Sequence, residues 1–227
     1  MTRSSKRGFA ALGVGVFAAL LFALRAAVPT AASAVTLPDP VVDQPISAPA
    51  GQQTIVFAGG CFWGVQAVFQ HVKGVVSATS GYAGGTVASP SYEEVSTGTT
   101  GHAESVRVVF DTSQVSLGQL LKVFFSVAHD PTELNRQGPD VGTQYRSAIF
   151  YTTPAQQKIV DAYIAQLTAA KVFKAPIVTE VKPLRGFNEA EAYHQNYYNL
   201  HPNQPYIVIN DRPKVEALKT QFADLWR

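Results

Sequence analysis

Twice in this chain the same order of patterns recurs: an apolar run, a stretch with apolar residues at helical spacing, and a second apolar run. The first set is residues 53–58, then Val65, Val68, Phe69 and Val72, then residues 75–83. The second is residues 103–110, then Leu117, Leu120, Leu121, Phe124 and Val127, then Tyr145 to Thr152. Short apolar runs closed by glycine or proline suit buried strands, and apolar residues three and four apart suit one helix face. Helix starts are marked as well. Ser116 with Gln119 makes a capping box, and Thr153 precedes a proline, Pro154, at the head of the stripe Val160, Tyr163, Ile164, Leu167.

Two β-α-β units in this order make the ferredoxin-like plan. That is an α+β two-layer sandwich with helices on one face of a mixed sheet, here followed by a C-terminal extension. A strand near 177–181 and a tyrosine-rich helix near 189–199 are expected late in the chain. Two loops, 84–102 and 129–144, are longer than most connections, and long ordered loops tend to carry function.

Residues 1–34 read as a secretory signal. Arg3, Lys6 and Arg7 precede the apolar stretch Phe9 to Leu24, and Ala32-Ser33-Ala34 supplies an A-x-A cleavage site. The expected location is periplasmic or secreted, with anchoring by an uncleaved leader as the alternative. Residues 35–52, with Pro38, Pro40, Pro45 and Pro49, read as an extended linker. A single domain over 53–227 is expected to follow. Without the four leader cations, 14 Lys+Arg face 16 Asp+Glu. That balance lacks the basic face of a nucleic-acid-binding domain.

Cys61 is the only cysteine. An exported domain stapled by disulfides would carry an even number, so Cys61 is a free thiol, either reactive or a small buried hydrophobe. Its setting favours reactivity. Gly59 and Gly60 end the first strand just where a helix begins. The unpaired N–H groups and positive dipole end there would favour the thiolate, the nucleophilic form. Any oxidation of this sulfur must be reversed by a thiol from elsewhere. Phe62 falls in line with the core residues Val65, Phe69 and Val72. Trp63 shares the polar face of Gln66, Ala67 and Gln70, and suits one wall of an apolar pocket. Glu104 opens the third strand among Ala103, Val106 and Val108, which would keep it protonated and able to act as an acid. The five histidines show no metal-ligand spacing, so no metal is expected.

Several segments together resemble the A-type peptide methionine sulfoxide reductases. They are Gly60-Cys61-Phe62-Trp63-Gly64, Gly81-Tyr82-Ala83-Gly84-Gly85, Tyr92-Glu93-Glu94-Val95, Gly101-His102-Ala103-Glu104, His129-Asp130-Pro131, Gly142-Thr143-Gln144-Tyr145-Arg146-Ser147 and His194-Gln195. They stand in the family's order and span about 53–207. The resemblance implies that Cys61 attacks the sulfoxide sulfur and that protonated Glu104 gives a proton to its oxygen. Tyr92 and Tyr145 would donate hydrogen bonds to that oxygen. Phe62 and Trp63 would enclose the methyl group, Asp140 would help to place the substrate backbone or order the loop, and His194 would also stand on the substrate side. It further implies the S epimer at sulfur, a Cys61 sulfenic acid, no bound cofactor, a monomer, and oxidised proteins or free methionine sulfoxide as substrates.

One departure matters. Many relatives carry C-terminal cysteines that resolve the sulfenic acid, whereas this tail reads Asn203-Gln204-Pro205-Tyr206-Ile207. Regeneration is therefore expected to use an external thiol directly: a thioredoxin, a glutaredoxin, a glutathione-like thiol or a partner reductase domain. The competing readings are a one-cysteine thiol peroxidase and a non-catalytic module that binds methionine sulfoxide. Met1 is the only methionine, so a chain without its leader has none of its own to oxidise.

Overall fold

The computed structural model describes residues 1–2, 37–46 and 51–227. Apart from Met1 and Thr2, the leader expected at 1–34 lies outside the described residues. Those from Leu37 onward belong to one unit.

Four strands fall where the two pattern sets place them: β1 (Gln52–Gly59), β2 (Val75–Ala83), β3 (Ala103–Asp111) and, after a two-residue pair β4 (Arg136–Gln137) and β5 (Asp140–Val141), β6 (Ser147–Tyr151). Two more, β7 (Glu180–Pro183) and β8 (Phe187–Glu189), complete a six-stranded sheet in the order β7-β6-β1-β3-β2-β8. The β6–β7 pair is parallel and the other pairs are antiparallel, so the sheet is mixed.

Side chains alternate across the sheet. Ile55, Phe57, Val106, Val108, Phe110 and Ile149 enter the main core, whereas Val56, Ala58, Ala103, Ala148 and Phe150 face the other way. The main core is closed by α1 (Phe62–Gln70), α3 (Leu117–Val123), α4 (Pro154–Ala169) and α6 (Arg212–Gln221), with the short α2 (Tyr92–Ser96) at the rim. Phe57 stacks on both Phe69 and Phe124 with ring centroids 4.7 Å apart. Burying each such ring contributes about 1.5–3 kcal/mol. On the second face, the small alanines admit a strap, Leu184 to Phe187, that joins the two sheet edges. Both expected helix starts form. Ser116 accepts from Gln119 N–H while Gln119 accepts from Ser116 N–H, and Thr153 accepts from Gln156 N–H. Among the described residues no helix is long and apolar enough to cross a membrane.

Three expectations change in detail. Part of the stretch read as a linker is docked on the domain. Leu37 is buried, Tyr163 donates to the Pro38 carbonyl at 2.9 Å, and Asp43 accepts from Gly118 N–H at the start of α3. Prolines remove donors but leave carbonyls free to accept. The late strand forms at Glu180–Pro183, slightly beyond 177–181. The tyrosine-rich helix at 189–199 is broken into a 3-10 turn (Ala192–His194) and the single turn α5 (Tyr197–Leu200). Asn196 takes a left-handed φ of 56°, and the Gln195 side chain ties the chain to β2 through Ser80 N–H and C=O, both at 3.0 Å. Local helix preference yields to those buried hydrogen bonds.

Candidate active site

β1 ends at Gly59, and the next residue turns the chain. Gly60 has φ of 90°, and the Gln137 side chain occupies the space a Cβ would need, so only glycine fits this corner. Cys61 then becomes the N-cap of α1. It opens into a pocket of about 290 Å³ lined by Cys61, Phe62, Trp63, Tyr92, Glu104, Asp140, Tyr145, Gln204 and Tyr206. The pocket gathers residues from α1, α2, β3, the 129–145 region and the C-terminal segment. Of the residues singled out from sequence, His194 alone stays out of the lining.

Glu104 lies on the helix-facing side of β3, 3% exposed, where its Oε2 accepts from Phe62 N–H at 3.0 Å. Burial pushes its carboxyl from 4.5 up to about 8. The charges of Asp140 and Asp211 add to the rise, and the Phe62 N–H opposes it. At neutral pH the group is a carboxylic acid. Burial and the nearby Glu104 also push the hydroxyls of Tyr92 and Tyr145 upward. All three are therefore proton-bearing groups facing one small cavity.

The expected thiolate is not what this setting favours. Burial is the largest influence on Cys61 and pushes its thiol well above the ordinary range. Glu104 and Asp211 push the same way, while the Trp63 N–H and the Lys214 ammonium only partly offset them. A sulfur at a helix start gains from the dipole, but here it also loses its water. The free pocket thus holds a thiol beside a neutral acid. Asp211 is fully buried, pairs with Lys214 at 3.2 Å, and occupies the space a Cβ on Gly64 would fill.

Trp63 forms the wall anticipated for it, although the polar face it was assigned to is not solvated. Gln66 is buried and donates to the Ala78 carbonyl and to Gln195, so α1 is covered by the C-terminal segment. The indole stacks on Tyr197 with centroids 3.7 Å apart, meets Tyr206 edge-on, and donates its N–H to His194 Nδ1 at 3.2 Å. His194, 2% exposed, stands behind Trp63 and Phe62 and supports them instead of meeting the cavity. Phe62 packs on Tyr82 from the core side while also lining the pocket.

Gln204 and Tyr206 also line the pocket, although in the sequence their segment stands out only for lacking a cysteine. The Tyr206 hydroxyl donates to the Asp140 carboxylate, so the tail and the 129–144 loop meet at the pocket mouth. No local pattern announces a contact between residues so far apart in the chain. Among the described residues no cluster of three or more His, Cys, Asp or Glu is placed to hold a metal.

A family model described as peptide methionine sulfoxide reductase matches residues 53–225. The chain is 57% identical over 176 residues to peptide methionine sulfoxide reductase MsrA 2 of Mesorhizobium japonicum, covering 78% of this chain and 90% of that protein. It is 51% identical over 190 residues to the MsrA 2 protein of Synechocystis, covering 83% and 89%. Among solved structures, methionine sulfoxide reductase A of Corynebacterium diphtheriae aligns with a TM-score of 0.59 and 38% identity over 75% of this chain and 88% of that one. Reduced Mxr1 of Saccharomyces cerevisiae aligns with a TM-score of 0.62 and 31% identity over 72% and 92%. With its lone sulfur and its buried acid in one pocket and these relatives spanning its whole domain, the chain belongs to the family of A-type peptide methionine sulfoxide reductases.

Proposed function

We propose that this pocket reduces the S-sulfoxide of methionine in two thiol-dependent stages, with the lining residues in the roles that follow. The sulfoxide methyl sits against Phe62 and Trp63, and its oxygen points to Glu104, Tyr92 and Tyr145. Cys61 sulfur forms a bond to the sulfoxide sulfur as Glu104 gives its proton to the oxygen. The carboxylate this leaves takes the proton of the Cys61 thiol. The oxygen, as hydroxyl, then passes to the Cys61 sulfur as both the sulfur–sulfur bond and the oxygen's bond to the substrate sulfur break, and one electron pair returns to the substrate sulfur. Methionine leaves, and Cys61 has become a sulfenic acid, oxidised by the two electrons that reduced the sulfoxide. Negative charge grows on the oxygen during attack, so three preorganised proton-bearing groups stabilise the transition state more than the ground state. The single observation that carries this reading is a carboxyl kept protonated by burial in the same cavity as the chain's one sulfur.

Two further roles are supported by contacts. Asp140 orients the substrate backbone at the mouth, a role supported by the hydrogen bond it accepts from Tyr206. His194, by accepting from Trp63, fixes the wall that the substrate methyl meets. In the second stage an external thiol forms a disulfide with Cys61 and releases water, and a second thiol restores Cys61. A thioredoxin, a glutaredoxin or a glutathione-like thiol fits that chemistry. Support for an external donor is the absence of any second cysteine in the sequence. The basic and apolar leader supports export. The ferredoxin-like plan is supported by the central strand order β6-β1-β3-β2 with α1 and α3 as crossovers.

The test is a single turnover without reductant on a blocked methionine S-sulfoxide. One methionine per enzyme should form while a sulfenic acid is trapped on Cys61, and Cys61→Ser should form none. Methionine formed by Cys61→Ser, or no trapped adduct in the parent, would remove the mechanism. Turnover of hydrogen peroxide in place of the sulfoxide would favour the peroxidase reading.

A further inference from the structure

Tyr92 stands on a five-residue helix inside the long connection between β2 and β3. Such a short helix is not rigid by itself. Its capping box, Ser91 with Glu94, holds its shape but ties it to nothing outside the loop. At its far end Ser96 and Gly98 carbonyls accept from Gln144 and Thr143. At its near end the external tie is a carboxylate. Tyr92 N–H donates to Glu191 Oε1 at 2.9 Å.

The other oxygen of the same carboxylate reaches the sheet. Tyr82 hydroxyl donates to Glu191 Oε2 at 2.8 Å. Tyr82 is fully buried, is the β2 register partner of Glu104, and packs on Phe62. Glu191 also begins the 3-10 turn that carries His194, whose N–H donates to the Glu191 carbonyl at 2.9 Å. His194 in turn accepts from Trp63 and packs against the Tyr92 ring at 4.5 Å. One residue therefore joins the loop that bears a proton donor, the strand pair that bears the acid, and the pocket wall.

We propose that Glu191 is a positioning residue for sulfoxide reduction: it sets where the Tyr92 hydroxyl stands relative to Glu104. The inference rests on the reading that Tyr92 donates to the sulfoxide oxygen. Glu191 itself is not in the pocket lining and meets no reacting atom. Its effect runs through geometry, and misplacing a donor by about 1 Å costs up to roughly 100-fold in rate.

A double-mutant cycle tests this, because residues that act through one another are not additive. The readout is the single-turnover rate of methionine formation at saturating sulfoxide, with KM measured alongside. Glu191→Ala should lower the rate about tenfold or more with KM changed less than about threefold. In a Tyr92→Phe background, where the hydroxyl is gone, the same change should cost less than about twofold. Glu191→Gln keeps an acceptor for Tyr92 N–H and should recover most of the rate. An unchanged rate in Glu191→Ala, an equal loss in both backgrounds, or a Gln variant as slow as the Ala variant would each overturn the proposal. If Glu191→Ala does not fold, Tyr82→Phe removes one hydroxyl from the same strut and enters the cycle in its place, with the same pattern expected at smaller size. A parent protein that forms no methionine would sink the reductase reading itself, whereas the pattern across the variants judges Glu191 alone.

Discussion

Replacing Glu104 by Gln probes the chemistry most directly, and the structure sets the size and sign of the effect. Glu104 ionises near pH 8 in the free protein because burial disfavours its charged form. About nine-tenths of molecules then carry the proton at pH 7, and about one-tenth at pH 9. On the proposed role, in which the acid form gives its proton to the sulfoxide oxygen, kcat/KM should fall about tenfold from pH 7 to pH 9. Cys61 interacts with Glu104, so the limb belongs to the pair as a whole. Gln keeps a hydrogen-bond donor in the same place but has no proton to give. Its rate should fall by about 10²–10⁴ at pH 7 and should lose the alkaline limb. The assay is single-turnover methionine formation without reductant, so that ionisation of an added thiol does not enter the profile. Stopped-flow quenching from pH 6 to 9.5 gives both curves. A Gln variant that keeps the fall near pH 8, or a parent enzyme with a flat profile, would refute the assignment of Glu104 as the acid.

The same substitution should make the protein more stable at alkaline pH. A carboxyl raised from 4.5 to about 8 on folding contributes stability that is present below 4.5 and lost as pH rises to 8. The loss is roughly 5 kcal/mol at most. Denaturant unfolding should therefore show Glu104→Gln gaining on the parent across that window and matching it near pH 4. Equal stabilities at pH 8 would mean the carboxyl is better solvated than its burial indicates. Trp63→Ala removes the wall stacked on Tyr197 and the hydrogen bond to His194. KM should rise about tenfold, while kcat stays within about threefold. A normal KM would make the indole purely structural.

How much of this was legible in the chain can be read from particular residues. The two β-α-β pattern sets place β1, α1, β2, β3, α3 and β6 within a few residues, because period-2 and helical spacing reflect which side of a local element meets the core. The caps at Ser116 and Thr153 form as spaced. Cys61 and Glu104 stood out because a lone sulfur at a helix start and a carboxyl among apolar neighbours are local anomalies. The direction of Glu104 was legible for that reason, whereas that of Cys61 was not. Its thiol is governed first by burial in the folded pocket and then by Glu104 and Asp211, which lie far from it in sequence.

What the amino-acid order determined alone is the set of elements, their faces and the chemical types available: one thiol, one acid placed among apolar residues, aromatic side chains for a wall. Those properties depend on near neighbours, which a sequence states outright. Tertiary structure alone decided which of these groups share a cavity, how dry it is, and what stands behind each of them. The folding of 195–226 over α1 buries Gln66, brings Tyr206 to Asp140, and sets Asp211 against Gly64. Solvation and charge act through space. A thiol that its own helix would ionise is therefore pushed toward its protonated form by burial in the folded pocket, with Glu104 and Asp211 adding to the effect.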